Sequence, residues 1–160
     1  MKTSSALLLI GLTGLSLPLR AQTLAPEVLL GSHNQYREAL GIAPLIWSDE
    51  LAASAQQWAD QLASSNRFQH SDTRYGENLW MGTANAYSQA KMVQSWGDER
   101  HAYVHGVFPN VTTGGVVGHY TQIIWRRTEK VGCGLATGRG NDVLVCQYDP
   151  PGNWRGESPY

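Results

Sequence analysis

The sequence has no excess of charge of either sign: 12 lysines and arginines face 13 aspartates and glutamates, which gives a formal net charge of −1. No basic patch or stripe is present, so we do not expect nucleic acid as a partner. Cysteine is scarce, with two residues, and no internal repeat, low-complexity tract or linker interrupts the chain. A chain of this length is therefore expected to form one domain around a single core.

Long apolar runs are also missing. The run from Ala6 to Leu19 is broken by two glycines and a proline, and it is shorter than the ~20 residues of a membrane span. It follows Lys2 and precedes the small residue Ala21, which is the layout of a secretory signal peptide. We predict that residues 1–21 are a signal peptide and that the rest is secreted, outside the cell or, in a Gram-negative source, into the periplasm. No membrane span is expected.

Two segments near the end of the sequence predict a β-hairpin. Residues 131–136 and 143–148 are apolar enough for strands, and residues 138–141 carry a Gly- and Asn-rich turn signal. Pairing about this turn places Cys133 opposite Cys146, close to disulfide range. Two cysteines in an exported chain indicate one disulfide, so we predict this pair to be bonded. Two free buried thiols are the alternative.

The spacing of apolar residues predicts two helices at the start of the mature chain. Gly41 is expected to end the first, and Ser48 is expected to cap the second. The apolar stripe of the first helix comprises Leu29, His33, Tyr36 and Leu40. The buried stripe of the second comprises Leu51, Ala55, Trp58 and Leu62.

A third helix is expected from about Asn85 to His101. Its inward residues are predicted to be Ala86, Ala90, Val93 and Trp96. Glu99 follows Trp96 by three residues and shares this inner face, where a carboxylate needs a partner. A short helical run is expected to begin at His119.

Four ordered motifs are the most informative feature of the chain. They are His70-Ser71 with Gly76-Glu77-Asn78-Leu79-Trp80, then Trp96-Gly97-Asp98-Glu99, the segment Gly118 to Thr128, and the segment Cys146 to Trp154. These motifs match the signatures of the CAP superfamily, which includes cysteine-rich secretory proteins, antigen 5 and the pathogenesis-related proteins of the first group. Both ends of the mature chain resemble this family too, and the final segment resembles its plant group. The sequence is identified as a member of the superfamily, with residues 22–160 as its CAP domain.

The resemblance implies a fold and a cleft. The expected fold is α+β, a three-layer α-β-α sandwich with a mostly antiparallel central sheet. Secreted relatives carry a disulfide at the positions of the two cysteines. In several members the matching histidines hold a divalent metal, which implies that His70 and His119 are ligands for zinc or a similar ion, with Glu77 and Glu99 as supporting residues. A metal-free network of His–Glu hydrogen bonds is an equally open interpretation.

A hydrolase is the competing class of function. Ser71 adjoins His70, and a glutamate lies nearby, so the residue types of a serine hydrolase triad are present. Adjacent residues of an extended segment point to opposite faces, so the base would have to be His119 and the third member Glu77. The chain has no Gly-x-Ser-x-Gly elbow and no His-Glu-x-x-His helix, so we favour Ser71 as a hydrogen-bonding loop residue and a peptidase-like activity as the alternative.

Binding partners are suggested by one loop and by the family. The stretch from Tyr103 to Val117 is apolar for a loop, and relatives are thought to bind sterols or fatty acids, so it either closes over such a lipid or covers the sheet. A protein or host-surface partner with a defence-like role is implied by the resemblance alone. His101 and His105 are four residues apart, but we interpret them as cations near a helix end rather than as metal ligands.

The segment from Pro150 to Tyr160 has two interpretations. Plant relatives with this ending are proposed to release a signalling peptide, and the matching bond lies between Asp149 and Pro150. The prolines and glycines of the segment prevent helix and disfavour strand pairing, as in an exposed terminus. Trp154, however, is large enough to dock on the core, and we favour a structural tail.

Overall fold

A computed structural model of the protein describes residues 22–65 and 67–160. The predicted signal peptide, residues 1–21, lies outside them. The elements, in chain order, are α1 (Pro26–Glu38), β1 (Ile46–Trp47), α2 (Asp49–Ser64), β2 (Gly76–Thr83), α3 (Gln89–Gly97), a 3₁₀ helix (Asp98–His101), α4 (Gly118–Ile123), β3 (Lys130–Gly138) and β4 (Asn141–Asp149). Within the described parts of the chain, every helix is too short or too polar to cross a membrane.

The four strands form one sheet in the order β1-β3-β4-β2. Strand β4 pairs antiparallel with both β2 and β3, whereas the two-residue β1 pairs parallel with β3. The sheet is therefore mixed but mostly antiparallel, as predicted. The hairpin of β3 and β4 has Cys133 directly opposite Cys146, and the two form a disulfide. That prediction is confirmed.

Helices cover both faces of the sheet. On one face α2 packs against Leu79, Val143 and Val145, and on the other α1, α3 and α4 pack against β3 and β4. Gly132 and Gly134 of β3 let α2 approach closely, because a Cβ atom at either position would overlap the main chain of α2. The arrangement is the predicted three-layer α-β-α sandwich.

The predicted helix starts are confirmed in part. The hydroxyl of Ser48 accepts a hydrogen bond from the N–H of Leu51, 3.3 Å away, and so caps α2 as expected. Helix α3, however, begins at Gln89 rather than near Asn85. Asn85 has a φ of 59°, in the left-handed region that ends regular structure, and its N–H donates to a carboxylate oxygen of Asp142 at 2.7 Å.

Three predicted core positions are wrong as a result of local packing. Ala86 lies ahead of α3, and it is exposed, as is Ala90 in the first turn of α3. In α2 Ala59 is fully buried, as is the predicted Ala55, while Trp58 is only partly covered. Small side chains face the sheet where α2 lies closest to β3, and the indole lies at the edge of the interface.

A buried arginine joins the first helix to the segment after α4. The guanidinium of Arg37, fully buried, donates to the carbonyls of Ala43 (2.7 Å), Ile123 (3.0 Å), Trp125 (2.8 Å) and Thr128 (2.9 Å). Charge-assisted bonds to several carbonyls satisfy the donors of a buried cation. They fix α1 against the C-terminal end of α4, whose first turn carries a residue of the candidate site.

The segment after β4 is tied to the domain by its main chain. The N–H of Arg126 donates to the carbonyl of Pro159 at 2.6 Å, and Phe108 exchanges main-chain hydrogen bonds with Gly156 and Glu157 at 3.0 and 2.9 Å. Trp154 remains 52% exposed and does not dock on the core as its size suggested. Main-chain hydrogen bonds and the packing of Tyr160 on the core, not burial of the indole, help to hold this tail in place.

Candidate functional site

The first half of the site is the pair His119 and Glu99. Glu99 lies in the 3₁₀ helix that continues α3, and its carboxylate accepts from the main-chain N–H groups of His119 (3.0 Å) and Tyr120 (3.1 Å) at the start of α4. The same carboxylate lies 2.6 Å from Nδ1 of His119. The imidazole stacks on Trp96, with ring centroids 6.1 Å apart. The prediction that Glu99 faces inward and needs a partner is confirmed by these three bonds.

The second half is the pair His70 and Glu77. Nδ1 of His70 lies 2.9 Å from Oε1 of Glu77, which also accepts from the N–H of Ser71 at 2.9 Å. The other oxygen accepts from the hydroxyl of Ser71 (2.5 Å) and from Nε2 of Gln147 (3.0 Å), which lies opposite Glu77 on β4. The Glu77 side chain is 5% exposed and that of His70 is 64% exposed.

These bonds shift the pKa of both groups. The hydrogen bond to Glu77 raises the pKa of His70 above its usual value, against the opposing effect of partial burial. For Glu77, burial alone would raise the pKa. The bonds from His70, Ser71 and Gln147 outweigh it and hold the pKa below its usual value. Both shifts favour the charged pair.

A buried chain of hydrogen bonds connects the His119 half to the first helix. Asn78, next to Glu77 on β2, donates to the carbonyl of His119 and to the hydroxyl of Tyr148, both at 3.1 Å. The Tyr148 hydroxyl lies 2.8 Å from Nε2 of His33, whose Nδ1 donates to the carbonyl of Leu29 at 2.8 Å. Burial lowers the pKa of His33 to about 4, so this imidazole is neutral and its Nε2 accepts from Tyr148.

Sequence reasoning did not find the structural roles of Asn78, Tyr148 and His33. A histidine within the apolar stripe of the first helix was the available signal, because a buried imidazole needs hydrogen-bond partners. The partners come from β2 and β4, more than 40 residues away along the chain, and periodicity contains no information on contacts at that distance.

The four predicted residues thus form two His–Glu pairs. In each pair the carboxylate engages Nδ1, and within the part of the chain that the structure describes Nε2 of His70 and of His119 have no hydrogen-bond partner. Among the same residues no group of three or more His, Cys, Asp or Glu side chains is close enough to enclose a metal ion. Any ion bound to these imidazoles would need ligands from solvent or from another molecule.

Ser71 binds the glutamate rather than a histidine. Its hydroxyl donates to Glu77, lies 3.1 Å from the hydroxyl of Thr73 and lies 3.4 Å from Nε2 of Gln147. In residues 22–65 and 67–160 no hydrogen bond joins Ser71 to His70 or His119. This geometry is that of a loop residue that orients Glu77, as favoured above.

The apolar loop 103–117 divides into two parts. Val111 is fully buried, and Phe108 packs edge-on against Trp125, with ring centroids 6.3 Å apart. In contrast Val104, Val107 and Val116 are 46%, 52% and 68% exposed. His101 and His105 are both exposed and form no ion pair within the described structure. Part of the loop covers the core, and part presents valines to solvent.

Comparison with known proteins identifies the relatives of the chain. Residues 30–148 match the model of the family described as "CAP: Cysteine-rich secretory protein family". Pathogenesis-related protein 1A of Nicotiana tabacum is 44% identical over 142 residues, which cover 88% of this chain and 83% of the relative. Pathogenesis-related protein 1 of Arabidopsis thaliana is 39% identical over 147 residues, 91% of this chain and 88% of the relative.

Solved structures agree with the fold. The crystal structure of NaASP2 with Zn²⁺ superposes with a TM-score of 0.72 at 26% identity, over 85% of this chain and 84% of that one.

Proposed function

Because the chain belongs to the CAP family of cysteine-rich secretory proteins and is similar to plant pathogenesis-related proteins, we propose that it is a secreted, defence-related binding protein whose paired imidazoles take up a divalent metal. Zinc or a chemically similar ion is the expected metal. One observation carries the proposal: in both His–Glu pairs the carboxylate engages Nδ1 and leaves Nε2 to face a ligand. A carboxylate behind a ligating histidine fixes its tautomer and raises its basicity.

The donor chemistry of the two pairs fits this assignment. Imidazole nitrogen is a preferred ligand of zinc, and two histidines leave coordination positions for water or an anion. Glu77 and Glu99 would act through the imidazoles, since their oxygens already accept hydrogen bonds from protein groups. The structural relative NaASP2 has been crystallised with Zn²⁺, which supports the choice of metal.

Zinc titration by calorimetry tests the proposal. Wild-type protein is expected to bind zinc at neutral pH, and His70→Ala or His119→Ala to abolish binding. Glu77→Gln should weaken it by roughly 10- to 100-fold, as for other residues that support a ligand. The variants His101→Ala and His105→Ala are matched controls, because both histidines are exposed and lie outside the pairs. Equal zinc uptake by wild type and the His70→Ala, His119→Ala double variant would end the proposal.

The competing proposal is a hydrolase that uses Ser71, His119 and Glu77. The hydrogen bond from Ser71 to Glu77 weighs against it, because a nucleophilic serine needs a base within reach of its hydroxyl. Peptidase activity that survives metal chelation and disappears in Ser71→Ala would reverse the ranking of the two functions.

A sterol or fatty acid is the ligand proposed for the exposed part of loop 103–117. Three exposed valines offer apolar area, at ~25 cal/mol for each Å² that a lipid removes from water. Val107→Asp is the appropriate variant, since Phe108 packs on Trp125 and its loss would disturb the core. Saturable binding of a labelled sterol or fatty acid that Val107→Asp removes would support a lipid site. The absence of saturable binding would leave these valines as loop surface.

A further inference from the structure

A groove separate from the exposed valines runs beside the start of β2. Two segments supply most of its lining, residues 74–77 at the start of β2 and residues 151–155 after β4. Its volume is about 540 Å³, within the ~300–1,000 Å³ that is typical of small-ligand sites. The groove is open to solvent rather than enclosed, so a ligand can reach it from outside.

Each of the two lining segments carries an aromatic ring and a guanidinium next to it in sequence. Tyr75 is partly exposed, and the guanidinium carbon of Arg74 lies 5.5 Å from the centroid of its ring. In the second segment Trp154 is 52% exposed and Arg155 is exposed. In the part of the chain that the structure describes, neither Arg74 nor Arg155 forms a salt bridge. The two cations and the indole of Trp154 are therefore available to a ligand, whereas the Arg74 guanidinium already lies over the ring of Tyr75.

The indole of Trp154 is exposed but held in place. Its N–H donates to the carbonyl of Pro151 at 2.9 Å. The preceding residues are anchored: Gly152 donates to Oε1 of Gln122 at 2.9 Å, and Asn153 donates to the carbonyl of Gly118 at 2.9 Å. An aromatic side chain that is fixed before binding loses little conformational entropy when a ligand stacks on it.

The other residues that line the groove do not cancel this positive charge. Gly76 has no side chain, and a Cβ atom there would overlap the side chain of Gln122, which is neutral. Glu77 also lines the groove, but its side chain is 5% exposed and its oxygens accept bonds from His70, Ser71 and Gln147. Arg74 and Arg155 are thus exposed, while the one carboxylate among the lining residues is buried.

We infer that this groove binds an acidic oligosaccharide. The apolar face of a pyranose ring stacks on an indole, and Trp154 offers such a face. A uronate carboxylate fits the planar fork of an arginine, and Arg74 and Arg155 contribute one fork from each lining segment. A peptide of acidic residues alone would use the arginines but leave the indole without a matching ring. The inference goes beyond metal binding and does not depend on it.

Calorimetry with trigalacturonic acid, in a buffer that contains a chelator, tests the inference apart from the metal site. Wild-type protein is expected to bind this trimer at least about 10-fold more tightly than the neutral trimer of galactose with the same linkage. Trp154→Ala should weaken binding of the acidic trimer by about 10-fold, whereas Trp154→Phe, which keeps an aromatic face, should retain most of it. The Arg74→Gln, Arg155→Gln double variant should lose the preference for the acidic trimer.

Matched controls exclude a general effect of charge or aromatic content. Arg139→Gln and Tyr87→Ala alter exposed residues outside the groove and should bind as wild type does. Circular dichroism of each variant should match wild type, since neither arginine nor the exposed indole supports the core. No saturable binding of trigalacturonic acid, equal binding by Trp154→Ala, or equal affinity for triglutamate would each overturn the inference.

Discussion

The two His–Glu pairs use the same contact, Nδ1 of an imidazole on a glutamate oxygen, in opposite settings. In the His119 pair the carboxylate also accepts two main-chain N–H groups of α4, and the imidazole is stacked on Trp96 and 30% exposed. In the His70 pair the carboxylate is 5% exposed and bound by side chains and one loop N–H, while the imidazole is 64% exposed.

The two glutamates therefore have different roles in the structure. Glu99 holds the start of a helix, so the position of His119 is determined by the fold itself. Glu77 is a buried hydrogen-bond acceptor that orients the exposed imidazole of His70. The first pair is expected to contribute more to stability than the second, and the second is expected to make stability depend on pH.

The largest expected effect comes from removing the anchor. Glu99→Ala leaves the main-chain N–H groups of His119 and Tyr120 without their acceptor. A hydrogen bond to a charged acceptor contributes up to ~1.5–3 kcal/mol. The free energy of unfolding is therefore expected to fall by about 3 kcal/mol. Urea denaturation measures it. Glu99→Gln is the control, because its remaining carbonyl oxygen can still accept and should keep about half of the stability. A loss below about 1 kcal/mol in Glu99→Ala would contradict the anchoring role.

Glu77→Ala should have the next largest effect, a loss of about 2 kcal/mol in the free energy of unfolding. The buried amide of Gln147 loses its nearer acceptor, at 3.0 Å, and keeps only the Ser71 hydroxyl at 3.4 Å. The same denaturation experiment applies. Replacing Gln147 by Leu in the Glu77→Ala background should restore part of the stability, since the unsatisfied donor is then removed. If the second substitution costs more stability instead, the amide is not the group that Glu77 satisfies.

Removal of each imidazole should follow the same order with smaller effects, so His119→Ala should lower the free energy of unfolding more than His70→Ala does. His119→Ala removes the stacking on Trp96 and one bond to Glu99, which together contribute about 1 kcal/mol. His70→Ala removes an exposed group and should cost less than about 0.5 kcal/mol. Thermal unfolding of both variants, side by side, compares them. Equal losses of stability in the two variants would show that the pairs are equivalent and would contradict the difference between them.

The smallest effect is the pH dependence of the His70 pair. The pKa of His70 is raised from 6.5, so its stabilising contribution is complete below 6.5 and is lost as pH rises through the raised pKa. The pKa of Glu77 is lowered from 4.5, so its contribution is complete above 4.5 and is lost as pH falls through the lowered pKa. The pair should therefore stabilise the protein most between pH 4.5 and pH 6.5.

NMR titration of the imidazole signals measures this directly. His70 should titrate above 6.5 in the wild type and move back toward 6.5 in Glu77→Gln. The signal of His33, with a pKa of about 4, serves as an internal reference that the substitution should not move. An unchanged His70 titration in Glu77→Gln would contradict the ion pair.

Local patterns predicted the parts of the fold that depend on neighbours in sequence. The hairpin with Cys133 opposite Cys146 and the cap at Ser48 follow from turn and capping chemistry, and the structure contains both. The start of α3 was predicted too early, because Asn85 adopts a left-handed conformation that Asp142 stabilises from a distant strand.

For the site, motif resemblance found the four His and Glu residues but not how they are held. The buried network of Arg37 and the link from Asn78 to His119 depend on contacts between residues far apart in the chain, which no spacing rule encodes. Glu99 was expected to face inward, and its role as the acceptor for the first N–H groups of α4 emerges only when the two segments are placed together.

The neighbouring positions of Glu77 and Asn78 on β2 have a consequence for how this chain can vary. Successive residues of a strand project to opposite faces, and here one serves the His70 pair while the other holds the main chain of His119. Loss or gain of one residue inside β2 would exchange the faces and disable both halves together. Single substitutions affect one half at a time. Among functional variants, changes of length should therefore be absent between Glu77 and Leu79 and tolerated in the turn that follows β2.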